Sequence, residues 1–566
     1  MADTEQILTA KTILTMAEDQ PQAKAVAVRG DRIVAVGTVA DCEAALPGAQ
    51  LVDLGDTVLM PGFVEAHSHP VLGGITYFAP ATYVGPFEVP TWDDVVAVFR
   101  DKHANTPPQE ALLFFGLDQL LHGCPAPTRH DLDEIFGERL VAVINNSGHA
   151  AYCTTATVNA AGITRDTPDP VGANYGHDPD GEPNGQAIEV AAVSVMTAPV
   201  MAATPSNPLV QTLQEYSKLS RRGITTASEM AYADEYRPPY VFAASLPGCP
   251  IRIALYHQSV ESTAGATFES TAPKDMLYKP GIKLWADGSP WMGNIAISFD
   301  YLHNEQTERA GIVKRHTNPM DNMNYSREQL DTVLDTYAPQ GWQMAIHCNG
   351  DVATDIVLDA FEAALDRHGL AGTDHRWRLE HLHTTTRKQM QRIASLGLTA
   401  SLFPASLYWW GELLDGTMFE HEIGANWQKL GSAVDSGLRI SLHNDGFATP
   451  PNPLGNVQVA VTRRAHDGAV HGEGEAISLD VALRAITINP AWQLFRENDI
   501  GSIEPGKLAD FVELSKDPYE ADIEHLTDEV QVLGTWVGGQ RVDLDQLMAV
   551  GTPAAEQLVA QLAASK

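Results

Sequence analysis

His67 and His69 stand one residue apart at the end of an apolar run, Met60-Pro61-Gly62-Phe63-Val64-Glu65-Ala66. In an extended strand, residues i and i+2 point to the same side, so the two imidazoles converge on one point. Neutral imidazole is the commonest protein ligand of a metal ion, and a converging pair is a chelate. The alternative is a pair that only hydrogen-bonds locally. Four more residues able to bind a cation or move a proton recur downstream: Lys283 late in an apolar run, His347 and His381 closing two others, and Asp445 just past a last one.

Those runs are the elements that must position the chemistry. Beyond about residue 210 they cover 223–227, 251–255, 281–285, 343–347, 377–381, 398–402 and 438–443. With the run before His67 they make eight, separated by helical spacing such as 354–367, where Ile356, Val357, Ala360, Phe361 and Leu365 are apolar. Strands alternating with helices in this number predict an α/β fold, a closed parallel (β/α)8 barrel of the TIM type. Reactive groups of that fold gather at the C-terminal ends of its strands, which is where these polar residues fall.

The barrel is expected over 60–72 and 211–495, interrupted by an inserted α+β subdomain at 73–210. Residues 1–59 read as short strands, with a hairpin of Ala25–Val28 and Arg32–Val36 around Arg29-Gly30-Asp31, and strand-like segments return at 496–545. A small β unit cannot bury both faces alone, so the two ends predict one composite β-sandwich. Residues 546–566 predict a C-terminal helix with Leu558, Val559 and Leu562 on one face, packed on its own domain or in a homodimer contact.

The composition sets limits on partners. The 566 residues carry a net charge of -35 from 72 acidic and 37 basic side chains, which disfavours nucleic acid and acidic lipid. The acidic start lacks the pattern of a signal peptide, and no apolar run reaches the roughly 18 residues of a membrane span. Five widely spaced cysteines, Cys42, Cys124, Cys153, Cys249 and Cys348, suit a reducing cytoplasm better than a disulfide framework.

Taken in order, Pro61-Gly62-Phe63-Val64-Glu65-Ala66-His67-Ser68-His69, Ile282-Lys283-Leu284-Trp285-Ala286-Asp287-Gly288-Ser289, His347-Cys348-Asn349-Gly350-Asp351, Arg378-Leu379-Glu380-His381, Asn444-Asp445 and the closing 501–510 segment resemble the amidohydrolase superfamily. The likeness covers nearly the whole chain and is greatest to the branch of YtcJ-like proteins and N-substituted formamide deformylases, amidohydrolase family 3. It implies one or two divalent metal ions, zinc first, with manganese, iron or cobalt also suited to such ligands. His67 and His69 would hold the more buried ion and His347 and His381 the more exposed one. Asp445 would complete the inner site, and carboxylated Lys283 would bridge both. An ammonium has no lone pair for a cation, so a carbamate is the sensible form of a ligating lysine. Lys283 could instead pair with Asp287, Asp445 could cap the following helix, and His383 competes with His381, which the Arg-x-Glu-His pattern favours. Cys348-Asn349 and Asn444 depart from the family's usual neighbours, which bears on substrate rather than on metal.

The implied reaction is hydrolysis of a carbon–nitrogen bond in an amide, N-substituted formamide, carbamate or cyclic amide by a metal-activated hydroxide, with Lys283 and Asp445 as catalytic residues. His149, within Asn146-Ser147-Gly148-His149, is a candidate donor to the oxyanion. Asp287, Trp285, Trp291 and the Tyr408-Trp409-Trp410 cluster are candidate substrate contacts, and the aromatic rings favour a bulky or aromatic small molecule. Each could equally be a packing residue. A lyase or isomerase using the same metals, and a non-enzymatic regulatory relative, are the competing classes; the intact ligand set argues against the latter.

Overall fold

The chain begins with β1 (Glu5–Leu14), β2 (Gln22–Arg29), β3 (Arg32–Gly37), β4 (Gln50–Asp53) and β5 (Val58–Pro61). β2 and β3 form the expected hairpin, turning at Gly30-Asp31 with Gly30 at φ +60°, a left-handed conformation that glycine adopts without strain. β4 and β5 both run parallel to β1, along its first and second halves. Gly62 then passes the chain into the barrel: a β-carbon there would lie 2.1 Å from Thr225 Oγ1, so only glycine fits. The first barrel strand, β6 (Phe63–Ser68), is buried along its whole length.

The insertion follows, with β7 (Thr82–Tyr83), β8 (Leu112–Leu117), β9 (Val141–Asn145), β10 (Ala150–Cys153), β11 (Asn174–His177) and β12 (Pro183–Ile188) in one sheet of order β11-β12-β10-β9-β8-β7. Its central strands β8 and β9 are apolar on both faces because both are covered. Leu113, Phe115 and Ile144 pack on one side with Val193 and Met196 of the helix Val190–Ala203, while Phe114, Val143 and Tyr152 pack on the other with Phe99 and Phe136.

The remaining barrel strands are β13 (Ile224–Tyr232), β14 (Arg252–Gln258), β15 (Leu277–Trp285), β16 (Gln343–Cys348), β17 (Arg378–His381), β18 (Thr399–Leu402) and β19 (Ile440–Leu442). The order β19-β18-β17-β16-β15-β14-β13-β6 is parallel throughout. The sheet closes where Ser68 bridges Gly446 and His69 N–H donates to Gly446 O at 2.8 Å. The helix Asp351–Arg367 buries Val357, Leu358, Phe361 and Leu365 against this wall, as its spacing predicts.

β20 (Phe511–Leu514), β21 (Val532–Val537) and β22 (Gln540–Arg541) bring the chain back, with β20 antiparallel to β5. The two chain ends thus share one sheet. Leu8, Val26, Ile503 and Trp536 fill one side of it, and Ile7, Ala25, Ala27, Cys42 and Leu46 fill the other. A bidentate ion pair ties this unit to the barrel: Arg252 Nε and Nη2 donate to Asp510 at 2.6 and 2.9 Å, both side chains almost wholly buried. The last helix, Leu544–Ala564, departs from expectation in its face. Leu547, Gly551 and Ala555 are buried, with Gly551 against Leu213, whereas Val559 is exposed and the side chain of Leu562 lies outside the described residues. These features come from a computed structural model that describes residues 4–170, 173–204, 206–312 and 318–564. Among them, no helix is long and apolar enough to cross a membrane.

Candidate metal centre

His67 and His69 end β6 at the barrel rim, where Asp445 meets them from the turn after β19. Asp445 Oδ1 lies 3.2 Å from His67 Nε2 and 3.5 Å from His69 Nε2. A second set, His67, His381 and His443, also brings its donor atoms within 4.8 Å of one another. The His67 ring centroid is 4.6 Å from those of both His381 and His443, and the His347 ring is 4.6 Å from that of His381.

Buried carboxylates aim the first two imidazoles. His67 Nδ1–H donates to Glu380 Oε2 at 2.7 Å and His69 Nδ1–H to Glu229 Oε1 at 3.1 Å, which turns each Nε2 toward Asp445. Glu380 is held in turn by Arg378, two residues earlier on β17, whose guanidinium also donates to Ala66 O at 2.9 Å. Tyr240 O–H and the Ala231 amide donate to Glu229. Burial pushes His347, His381 and His443 well below the usual histidine range, so they are neutral and keep a lone pair. Nδ1 of His381 and both ring nitrogens of His443 are buried without a hydrogen-bond partner. Orphaned buried nitrogens are rare, and here they border a cluster of nitrogen and oxygen donors suited to a divalent ion.

The backbone is bent to make this arrangement. His381 at φ +71°, Leu382 at +53° and Asp445 at +50° occupy the left-handed region, at about 1–3 kcal/mol each for non-glycine residues. Neighbours hold the Asp445 turn: Asn444 N–H donates to Glu65 Oε1 at 2.6 Å, and Asn444 Oδ1 accepts from Asn452 N–H and Asn456 Nδ2, each at 2.9 Å.

Lys283 reaches the barrel interior from β15, 1% exposed, and burial pushes its amine down to about 8. Among the described residues no carboxylate forms an ion pair with it, and Asp287 in particular does not. Asp287 is wholly buried and accepts backbone N–H groups from Asn349 at 2.9 Å, Gly350 at 2.8 Å and Ala296 at 3.1 Å. Its oxygens thus brace the loop after β16 and the segment after β15 at Ala296. His383 turns to Asn349 Oδ1 and stacks on Trp427 at 4.9 Å; its ring lies 5.9 Å from that of His381, but it belongs to neither donor set.

His149 is brought to the centre from the insertion, its ring 5.5 Å from that of His347, with Nδ1 donating to Glu189 Oε2 at 2.8 Å. The other Glu189 oxygen accepts from Asn294 Nδ2. The tryptophans divide. Trp410 is wholly buried, stacked on Trp291 at 4.3 Å and donating to Asp118 Oδ2 at 3.2 Å, so it packs a core and forms no substrate wall. Trp291 shares that core with Leu407, Leu414 and Trp427. Trp409 is half-buried against Phe87 and lines, with Tyr408 and Asn444, a cavity of about 310 Å³.

Sequence reasoning passed over His443, Glu229 and Glu189. His443 ends its strand just as His347 and His381 do, and the same rule would have marked it. Glu229 is an acidic residue in the middle of a buried nine-residue strand, a position that an apolar-run search cuts off.

The model of an amidohydrolase family matches residues 50–543, and that of a bacterial imidazolonepropionase-like composite domain matches residues 25–49. The chain is similar to the N-substituted formamide deformylase of Arthrobacter pascens, 29% identical over 530 residues that span 91% of this chain and 94% of that protein. It is also similar to the putative amidohydrolase YtcJ of Bacillus subtilis strain 168, 24% identical over 552 residues, 94% of this chain and 98% of that protein. Among solved structures, an uncharacterized metal-dependent hydrolase from Pyrococcus horikoshii OT3 shares the fold with a TM-score of 0.69, at 20% identity, over 92% of this chain and 99% of that one.

Proposed function

The chain belongs to the amidohydrolase family, and from that premise we propose that it is a metal-dependent hydrolase of non-peptide carbon–nitrogen bonds, with N-substituted formamides and related uncharged amides as substrates. One observation carries the reading: His67, His69 and Asp445 converge on one point, beside buried imidazole nitrogens of His381 and His443 that nothing else satisfies. His67, His69, His347, His381 and Asp445 would hold one or two divalent ions, zinc first, with carboxylated Lys283 as a further ligand. Such an ion supplies Lewis acidity, polarising a carbonyl and acidifying water near neutral pH. The depressed pKa of Lys283 enlarges the share of free amine, the form that adds carbon dioxide. The name of the Arthrobacter relative supports the choice of formamides.

The chain's own groups then divide the proton work. Asp445, its side chain 21% exposed, takes a proton from the attacking water and returns it to the departing nitrogen. Although burial opposes it, Glu189 raises the pKa of His149 and favours the imidazolium, whose Nε2–H can donate to the developing oxyanion. The test is release of formate and amine from N-substituted formamides by zinc-supplied enzyme in ¹⁸O-labelled water. The expected result is label in the formate, and an Asp445→Asn variant whose kcat falls roughly 10²–10⁴-fold. Product without label would move the reading to a lyase or isomerase.

A further inference from the structure

We propose that a cleft beside the metal centre is the subsite for an apolar, flat substituent of the substrate; on the hydrolase reading, on which this rests, that group is carried by the scissile nitrogen. The cleft encloses about 640 Å³ between the first turn of the helix Val190–Ala203 and the rim of the barrel. Val190, Ala191, Val260, Trp285, Tyr325 and Val333 supply its apolar walls.

Two contacts join it to the centre. The Trp285 ring centroid lies 5.6 Å from Lys283 Nζ. Glu189, at the inner end of the helix, bonds His149, whose ring is 5.5 Å from that of His347. A molecule with its carbonyl between His149 and His347 therefore has the cleft within one substituent's reach.

The lining also says what the cleft refuses. Glu189 is the single charged side chain among the described lining residues, and His149 and Asn294 already occupy both of its oxygens. A charged substituent would find no free counter-charge there, only the neutral polar side chains of Ser194, Gln258, Asn324, Gln329 and Thr332, beside the apolar walls. Val190 is 47% and Val260 73% exposed, large apolar side chains at the mouth that a ligand would cover. Trp285 offers the flat wall, so the aromatic contact falls to it rather than to the buried Trp410.

The test compares N-methylformamide with N-(2-naphthylmethyl)formamide on the zinc-loaded full-length protein. Ser194→Trp and Val260→Trp each place an indole into the cleft from an exposed position. Both are expected to lower the naphthyl-to-methyl ratio of kcat/KM at least tenfold. Val195→Trp, on the same helix but outside the cleft, is expected to keep the wild-type ratio. An unchanged ratio in both cleft variants, or an equal fall in Val195→Trp, overturns the proposal. If the wild type hydrolyses neither compound, the hydrolase reading fails by itself. The cleft is then judged by saturable change in naphthyl emission on binding, which both cleft variants must weaken at least tenfold; undiminished binding in both overturns it.

Discussion

Glu189 does for His149 what Glu380 and Glu229 do for His67 and His69: a buried carboxylate takes Nδ1–H and so decides what Nε2 presents. For His149 the charge of Glu189 matters as well as its shape, because a neutral ring bonded through Nδ1 has no proton left at Nε2. The raised pKa keeps that proton, and donation is lost as pH rises through it. Glu189→Gln should therefore move the alkaline limb of kcat to lower pH and reduce kcat by roughly 10²–10³, the cost of losing one oxyanion donor. A pH profile identical to wild type would assign Glu189 to packing alone. Lys283 is tested by spectroscopy: protein equilibrated with ¹³C-bicarbonate should show a carbamate carbon resonance that Lys283→Ala lacks, and a spectrum without that difference excludes the carboxylated lysine. At this scale the His67/His69 pair was legible because strand geometry fixes i and i+2. The roles of Glu189 and Asp287 were not, since each is set by partners far along the chain.

At the scale of elements, strands found as apolar runs came out short where it mattered most. β13 continues past residue 227 through Glu229 to Tyr232, and β15 begins at Leu277, before Lys279 and Lys283. The polar residues that end an apolar run are the ones a barrel turns inward, so the search truncates β13 at the site itself, whereas the missing start of β15 lies at the opposite end of its strand. The Tyr408-Trp409-Trp410 cluster divides because, on the helix Pro404–Leu414, successive residues point in different directions: Tyr408 and Trp409 are left half-buried while Trp410 enters the core. The closing Gly-Lys-Leu-Ala-Asp510 segment has a mechanical role. Besides pairing with Arg252, Asp510 accepts from Gly538 N–H at 2.8 Å and its carbonyl accepts from Gly62 N–H at 3.0 Å, so it clamps both chain ends to the barrel. Asp510→Ala removes two hydrogen bonds from a buried guanidinium, which keeps Asp275 at 2.7 Å as its remaining carboxylate, and should cost about 1.5–3 kcal/mol in chemical denaturation. Glu520→Ala, which breaks an exposed pair with Lys11, should cost at most about 1 kcal/mol. Equal effects would remove the clamp from the account.

For the whole molecule, the centre exists only when the barrel closes. His67 and His69 come from the first strand and Asp445 from the turn after the last, and they meet through the Ser68–Gly446 bridge. The count of eight strands was legible because parallel strands covered on both faces are apolar along their length. The six-stranded sheet of the insertion was not, since β7 is only two residues long, β11 and β12 are rich in polar residues, and its loops show no regular spacing. Yet that sheet and its helix deliver His149, Glu189 and one wall of the apolar cleft, so the proposed function puts substrate choice in the part of the chain least readable from sequence.

The central claim is that this closure assembles a metal site. It is tested most directly by elemental analysis of the full-length protein purified without chelator, beside a His67→Ala variant, since His67 belongs to both donor sets. The account predicts at least one zinc-like divalent ion per wild-type chain and its loss from the variant. Wild-type protein that hydrolyses formamides with no ion, or a His67→Ala variant that keeps the full metal content, would contradict it.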